Sequence, residues 1–316
     1  MIVYRSLAEV QYNKNSVVTI GMFDGVHLAH QTIIRQTIEK SRHLSGRNVV
    51  VTFEPHPREV VSKGTKNVAI LSTLEDKLQR IEKLGVDVVF IIPFTFEFSR
   101  LTFQEFYSKY IVNGVGVSEV VEGFNHQFGR DREGNMSQVL ELGKVHGFSV
   151  EAIAMMKKQD VVIASSTIRD SLLSGDVVLA NEMLGYEYSF TGTVVRGYGR
   201  GKQLGYPTAN IVLFDKKKLV PQIGIYAVQI EVEGKWYGGM MSIGHNPTFG
   251  DAHIRTIEVN IFDFDKDIYD ETVTVKTIQR TRNEKKFNSV DELITEIGND
   301  KIAIKKILDH YKQISS

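Results

Sequence analysis

The sequence predicts two domains in series: a parallel α/β sheet with helices on both faces, then a mainly antiparallel β-barrel closed by a terminal helix. Three observations carry this prediction. Strands alternate with helices up to about residue 184, the texture after Glu187 becomes short alternating strands separated by turns, and 316 residues are long for one core. The boundary is therefore placed at 184/185, giving domains 1–184 and 185–316.

Each element follows from its local pattern. SVVTI (16–20) is an apolar run that turns, through GMFDGVHLAH (21–30), into the helical stretch HQTIIRQTIEKSRHLSG. NVVVTF reads as a strand ending in the loop EPHP, where His56 between two prolines is expected to be a rigid turn residue. STLEDKLQRIEKLG reads as a helix, with Ser72 and Glu75 at capping-box spacing, and leads into the strand VDVVFII. TFQEFYSKYI reads as another helix and VSEVVEG as another strand. Ligands of such sheets sit at the carboxyl ends of the strands, where GMFDGVH, EPHP and GFNHQFG all fall. Beyond Glu187, FTGTVVRG, GIYAVQIEVEG, KWYGGMMSIG, IRTIEVNIFDF and ETVTVKTIQ alternate as strands do, and SVDELITEIGNDKIAIKKILDHY is an amphipathic helix.

The totals exclude several functions. Lys+Arg and Asp+Glu both number 38, so no general attraction to nucleic acid or to anionic membrane is expected, and any phosphate site must be built by particular loops. The absence of cysteine removes disulfides, thiolate metal sites and cysteine nucleophiles. The N-terminus lacks a signal-peptide core and VDVVFIIPF is too short to cross a bilayer, so a cytoplasmic protein is expected.

In the first half, GMFDGVHLAH places glycines and two histidines where a strand becomes a helix. Backbone N–H groups there favour anions, glycines admit close approach, and His27 and His30 fall on one face of the first turn. Three readings stay open on spacing alone: phosphate donors, a shared metal ion, or polar residues at a helix start. No H-E-x-x-H pattern exists, which ranks the metal low.

In the second half, GYGRGKQLGYPTANI (197–211) is a basic, glycine-rich loop of neither common type. Lys202 precedes Gln203 rather than Ser or Thr, so it is no Walker A loop, and Lys202 stands where a dinucleotide fingerprint needs its third glycine. Such a loop either wraps phosphate through its N–H groups or is a solvated hairpin. In IEVNIF, Ile257, Val259 and Ile261 share one strand face and Glu258 points the other way. The acidic string Asp263, Asp265, Asp267 lacks the glycine and closing glutamate of an EF-hand, having Ile268 and Thr274 there.

These motifs resemble, in order along the whole chain, those of bacterial bifunctional riboflavin kinase/FAD synthetases. GMFDGVHLAH is similar to the nucleotidyltransferase signature, with Ala29 in place of a glycine, and TFEPHPREV is similar to its second motif. GFNHQFGRDREG corresponds to the flavin-side loop and ASSTIRDSLLSGD to the Ser-Ser-Thr-x-Ile-Arg segment. GRGKQLGYPTAN resembles the flavokinase signature, MSIGHNPTFGD its downstream Pro-Thr-Phe segment, and TRNEKKFNSVDELITEIGND its closing pattern.

The resemblance implies a Rossmann-like nucleotidyltransferase domain, acting as FMN adenylyltransferase, followed by a riboflavin kinase. It implies that Gly21, Phe23, Asp24, Gly25, His27, His30, Ser165, Ser166 and Arg169 bind ATP in the first, with His27, His30 and Arg169 catalytic. It implies that Gly199, Gly201, Lys202, Gly205, Thr208 and Asn210 bind ATP in the second, with Thr208 and Asn210 also holding Mg²⁺ and Glu258 as the base. Asn125, Phe128, Gly129, Arg282 and Glu284 would contact flavin. ATP is then the co-substrate, riboflavin, FMN and FAD are substrates and products, and small molecules are the partners, with weak self-association left open. Two other readings stay open: one active half beside an impaired one, the adenylyltransferase being the half in question, or a flavin- or nucleotide-binding regulator without turnover.

Overall fold

The computed structural model describes residues 1–62, 68–123, 135–197, 199–245 and 255–315. The chain forms two compact units, Met1–Ser165 and Ser166–Ser316.

The first unit contains β1 (Ile2–Tyr4), β2 (Ser16–Ile20), α1 (Leu28–His43), β3 (Arg47–Glu54), α2 (Pro57–Val61), α3 (Leu74–Lys83), β4 (Val88–Pro93), α4 (Phe103–Phe106), β5 (Glu119–Gly123), α5 (Met136–His146), β6 (Ser149–Ile153) and the short pair β7 (Lys157–Lys158) and β8 (Val161–Val162). Its main sheet runs β1-β4-β3-β2-β5-β6, parallel throughout. Val18, Ile20, Val49, Val51 and Val120 meet Phe103, Tyr107, Ile111 and Val115 on one face. Val50, Val89 and Ile91 meet Ile34, Ile38 and Ile81 of α1 and α3 on the other. Burial on both faces is why these strands read as unbroken apolar runs. Successive strands step away from β2 in opposite directions, so the loops after β2 and β5 flank the topological switch point.

Two local expectations are corrected. The α3 capping box is Thr73 with Asp76, not Ser72 with Glu75, because the Ser72 hydroxyl is engaged by the loop after β2. The helix expected over TFQEFYSKYI is α only through Phe106 and continues as a π-helix over Tyr107–Val115.

That π-helix carries Tyr107, whose hydroxyl is hydrogen-bonded to Oε1 of the fully buried Glu122 on β5. Burial raises the Glu122 carboxyl to about 8, against a smaller lowering by Tyr107, and burial together with the neighbouring Glu122 pushes the Tyr107 hydroxyl well up. The folded state therefore holds a proton that the unfolded chain releases from pH 4.5 upward, so stability falls as pH rises from 4.5 to about 8. Glu122→Gln keeps the neutral shape and removes the titration. Its first-unit thermal midpoint, followed by calorimetry, should fall less between pH 5 and pH 8 than that of the parent.

The second unit contains α6 (Ser165–Ser174), whose first residue closes the first unit, α7 (Val177–Leu184), β9 (Ser189–Val195), α8 (Arg200–Gln203), β10 (Ala209–Leu213), β11 (Gly224–Val232), β12 (Lys235–His245), β13 (Arg255–Ile261), β14 (Thr272–Arg282) and α9 (Val290–Ser315). The strands close a barrel in the order β10-β13-β12-β11-β14-β9. Phe190, Val228, Ile230, Met241, Ile243, Ile257, Val259 and Val275 are buried in it, while Ile304 and Leu308 of α9 pack with Ile225, Ala227, Met240 and Ile278. Helices 165–184, counted with the first domain in the sequence, are grouped by packing with the barrel: Asn181 Nδ2 donates to the Thr277 carbonyl at 2.8 Å, and the Gln222 N–H to the Leu172 carbonyl at 2.9 Å.

Candidate functional sites

The first site is the turn from β2 into α1. Phe23, Gly25 and Val26 all have positive φ (48°, 84° and 37°), a conformation that costs non-glycine residues about 1–3 kcal/mol each. Neighbouring contacts hold it. Phe23 and Val26 are 1% exposed and belong to the core beneath α1. The Asp24 carboxylate accepts from the Leu71 and Ser72 N–H groups at 2.9 and 3.0 Å, the Gly25 N–H donates to Ser72 Oγ at 2.9 Å, and Ser165 Oγ donates to the Asp24 carbonyl at 2.9 Å. Asp24 and Phe23, expected at ATP, thus have clear work in shaping the loop. A Cβ on Gly21 would press on the Phe23 ring at 3.1 Å, and Gly21 N–H donates to Val51 at 3.0 Å.

His27 is the N-cap of α1, its Nδ1 accepting from the His30 N–H at a long 3.4 Å. An imidazole accepting at Nδ1 carries its proton on Nε2, which makes that atom a donor. The two rings stack at 3.6 Å and 17°, and the Phe23 edge meets His30 at 5.1 Å. The pair is therefore a preorganised imidazole stack at the positive end of a 16-residue helix. Ala29, beside them in α1, is not among the positive-φ residues, so its methyl group costs the backbone nothing.

Sequence reasoning missed two residues here. Ser72 locks the loop, and Lys77, 4% exposed, lies below it: Nζ is 3.4 Å from Thr52 Oγ1, which donates to the Met22 carbonyl at 3.3 Å. Burial lowers the Lys77 ammonium, against the charges of Glu54 and Asp24. Its signal was legible: Lys77 occupies the apolar stripe of Leu74, Leu78 and Ile81. His56, expected as a turn residue, caps α2 by accepting from the Arg58 N–H at 3.1 Å. Asn125, Phe128 and Gly129 lie outside the described residues. Ser166 and Arg169 stand in α6, in the second unit, exposed and half-buried.

The second site gathers on the outer face of β13. Ile257 and Val259 are buried inside the barrel at 4% and 0% exposure, so Glu258 points out, as the alternation predicted. It pairs across strands with Asn210 of β10 and Ser242 of β12, and its Oε2 accepts from the Thr208 hydroxyl at 3.1 Å. The glycine loop wraps this group. A Cβ on Gly197 would collide with the Asn210 amide, and one on Gly201 with the Tyr206 carbonyl. Gly199 and Gly205 have φ of 70° and 81°. The Lys202 side chain lies outside the described residues.

Glu284 comes to the same face, its carboxylate lying where a Cβ of Gly244 would be; Gly244 pairs with Thr256, two residues before Glu258. The Arg282 guanidinium makes a fork with Asp300 of α9 (2.9 and 2.6 Å), with Glu296 at 3.6 Å. That clamp fixes the end of β14, from which Glu284 reaches Gly244. The donors at this face, a hydroxyl, an amide and a carboxylate, offer hard oxygen atoms of the kind Mg²⁺ prefers. Among the described residues no group of three His, Cys, Asp or Glu could hold a metal, so such an ion would rely on Thr208, Asn210 and phosphate oxygens.

A parallel α/β unit with stacked histidines at a helix N-terminus, followed by a barrel with a carboxylate beside a glycine loop, is the plan of a two-domain phosphate-transfer protein. The family comparisons agree half by half: the FAD synthetase family matches residues 9–167 and the riboflavin kinase family residues 184–308. The chain belongs to the bifunctional riboflavin kinase/FMN adenylyltransferase family, with the adenylyltransferase half first. Proteins named bifunctional riboflavin kinase/FMN adenylyltransferase are similar over nearly its full length: 40% identity in Listeria monocytogenes and 38% in Bacillus subtilis, each covering 90% of both chains. The Escherichia coli protein of that name is 33% identical, covering 92% of both.

A solved structure from Streptococcus pneumoniae, titled a macrolide-efflux protein, superposes with a TM-score of 0.86 at 31% identity, covering 96% of this chain and 98% of that one. The efflux title belongs to that protein. Among the described residues of this chain no helix is long and apolar enough to cross a membrane.

Proposed function

We propose that the family's two reactions are carried by the two sites described. In the barrel, Glu258 accepts the proton of a ribityl hydroxyl of riboflavin as that oxygen attacks the γ-phosphorus of ATP; the bond to the bridging oxygen breaks, ADP leaves and FMN forms. The observation that carries this reading is the Thr208–Glu258 contact inside a glycine-wrapped loop. The loop glycines Gly199, Gly201 and Gly205 and Lys202 take the ATP phosphates, and Thr208 and Asn210 would hold Mg²⁺, which when bound neutralises phosphate charge. Arg282 and Glu284 contact the flavin substrate, with the Asp300 fork holding the Arg282 guanidinium in place.

In the first unit the FMN phosphate attacks the α-phosphorus of ATP, forming FAD and expelling pyrophosphate. A phosphate with a second pKa of about 6 is mostly ionised at neutral pH, so no general base is needed. His27 and His30 donate to the ATP phosphates, with Gly21 and Gly25 allowing close approach and Phe23, Asp24 and Ser165 holding the loop. Ser166 and Arg169 are assigned to ATP on the strength of the family motif, and on the same ground 1–184 is taken as the adenylyltransferase domain and 185–316 as the kinase. Asn125, Phe128 and Gly129 are assigned to flavin on the same ground. The balanced charge supports a protein without nucleic-acid or membrane partners, and the absence of cysteine fits the reducing cytoplasm.

Incubation of the purified protein with riboflavin, ATP and Mg²⁺ tests the reading by its products. FMN, FAD and pyrophosphate should all appear. FMN alone would show the adenylyltransferase half to be inactive, and neither flavin product would leave a binding regulator.

A further inference from the structure

Strand β13 carries a second polar residue on the Glu258 face. Asn260 is 5% exposed, and its Nδ2 donates to the Pro207 carbonyl at 2.7 Å. A carbonyl can only accept, so this bond orients the amide with nitrogen toward Pro207. Oδ1 is then left buried, with no hydrogen-bond partner among the described residues. An unpaired buried acceptor costs stability that a leucine of similar size would not. The amide is accounted for by what its nitrogen holds.

What it holds is the segment entering the kinase site. The β10–β13 ladder consists of Ala209 opposite Val259 and Asn210 opposite Glu258, and it stops there. Pro207 has no N–H to extend it. The Asn260 side chain supplies the next bond, at the residue immediately before Thr208. One residue on, the Thr208 hydroxyl donates to Glu258 at 3.1 Å, and on the other side the Tyr206 hydroxyl lies against Gly298 of α9. We infer that Asn260 is a positioning residue of the kinase site: by holding the Pro207 carbonyl it sets Thr208 against Glu258. The inference rests on the proposed roles of those two residues.

Two variants test it in the full-length chain. Asn260→Leu removes the donor and the unpaired acceptor together; Asn260→Asp keeps the shape and places an oxygen against the Pro207 carbonyl. Both should lower kcat for FMN formation roughly 10- to 100-fold, the scale of a small misplacement of reacting groups. KM for riboflavin should stay within about threefold, because the flavin contacts are elsewhere. Asn260→Leu should do this without lowering the thermal midpoint of the kinase unit, and FAD formation from supplied FMN should be unchanged.

A folded variant whose kcat stays within about twofold of the parent would overturn the inference. So would a loss of kcat that only tracks a loss of folded protein in both variants. Glu258→Gln run alongside separates the two levels. If it leaves FMN formation intact, the site reading fails; if it abolishes FMN formation while the Asn260 variants do not, only the positioning role fails.

Discussion

Glu258→Gln is expected to lower kcat for FMN formation by about 10²–10⁴, the range of a lost general base, with little change in KM for riboflavin. The amide is isosteric, still accepts from the Thr208 hydroxyl that now contacts Oε2, and still stands opposite Asn210 and Ser242. What it cannot do is take a proton. Binding should therefore survive while chemistry is lost, which steady-state kinetics with riboflavin and ATP resolves directly. FAD formation from supplied FMN should continue at the parental rate, because that reaction belongs to the other unit and uses an already ionised phosphate. Equal loss of both activities in a folded protein would contradict separate sites.

His30→Ala should produce the opposite pattern. Removing one preorganised donor from developing phosphate charge typically costs about 10²–10³ in kcat, so FAD synthesis should fall by that order while FMN formation persists. The ring also stacks on His27 and meets the Phe23 edge, so truncation leaves a gap beside the core under α1. His30→Asn separates the two effects, since it restores an N–H donor without restoring the stack. Partial recovery of FAD synthesis in that variant supports a donor role; normal FAD synthesis in His30→Ala would remove His30 from the site.

Fold and family were written into the chain at short range. Period-two alternation placed Glu258 opposite to Ile257 and Val259, and the barrel confirms that orientation. The apolar runs SVVTI and NVVVTF became central strands buried on both faces, and GMFDGVH follows the carboxyl end of its strand as the alternation predicted; its place at the switch point came only with the order of strands in the sheet. Local spacing misled at Ser72. A Ser with Glu three residues on looks like a cap, yet the neighbouring Thr73 and Asp76 form it, leaving Ser72 to bind the backbone of Gly25, 47 residues distant.

The sequence by itself determined the two rhythms, the glycine loops, the paired histidines and the outward carboxylate, because each is a property of residues within one turn or one strand of each other. Tertiary structure alone decided which of these groups meet. The Asp24 carboxylate is turned to Leu71 and Ser72, Arg282 to Asp300, and Asn260 to Pro207. Lys77 is buried under the first loop. Those partners lie 18 to 53 residues apart, beyond the reach of any periodicity, and chain closure brings them together only when the sheet and the barrel form. A polar residue in a motif can serve substrate or scaffold with the same local sequence, and only the position of its partner tells the two apart.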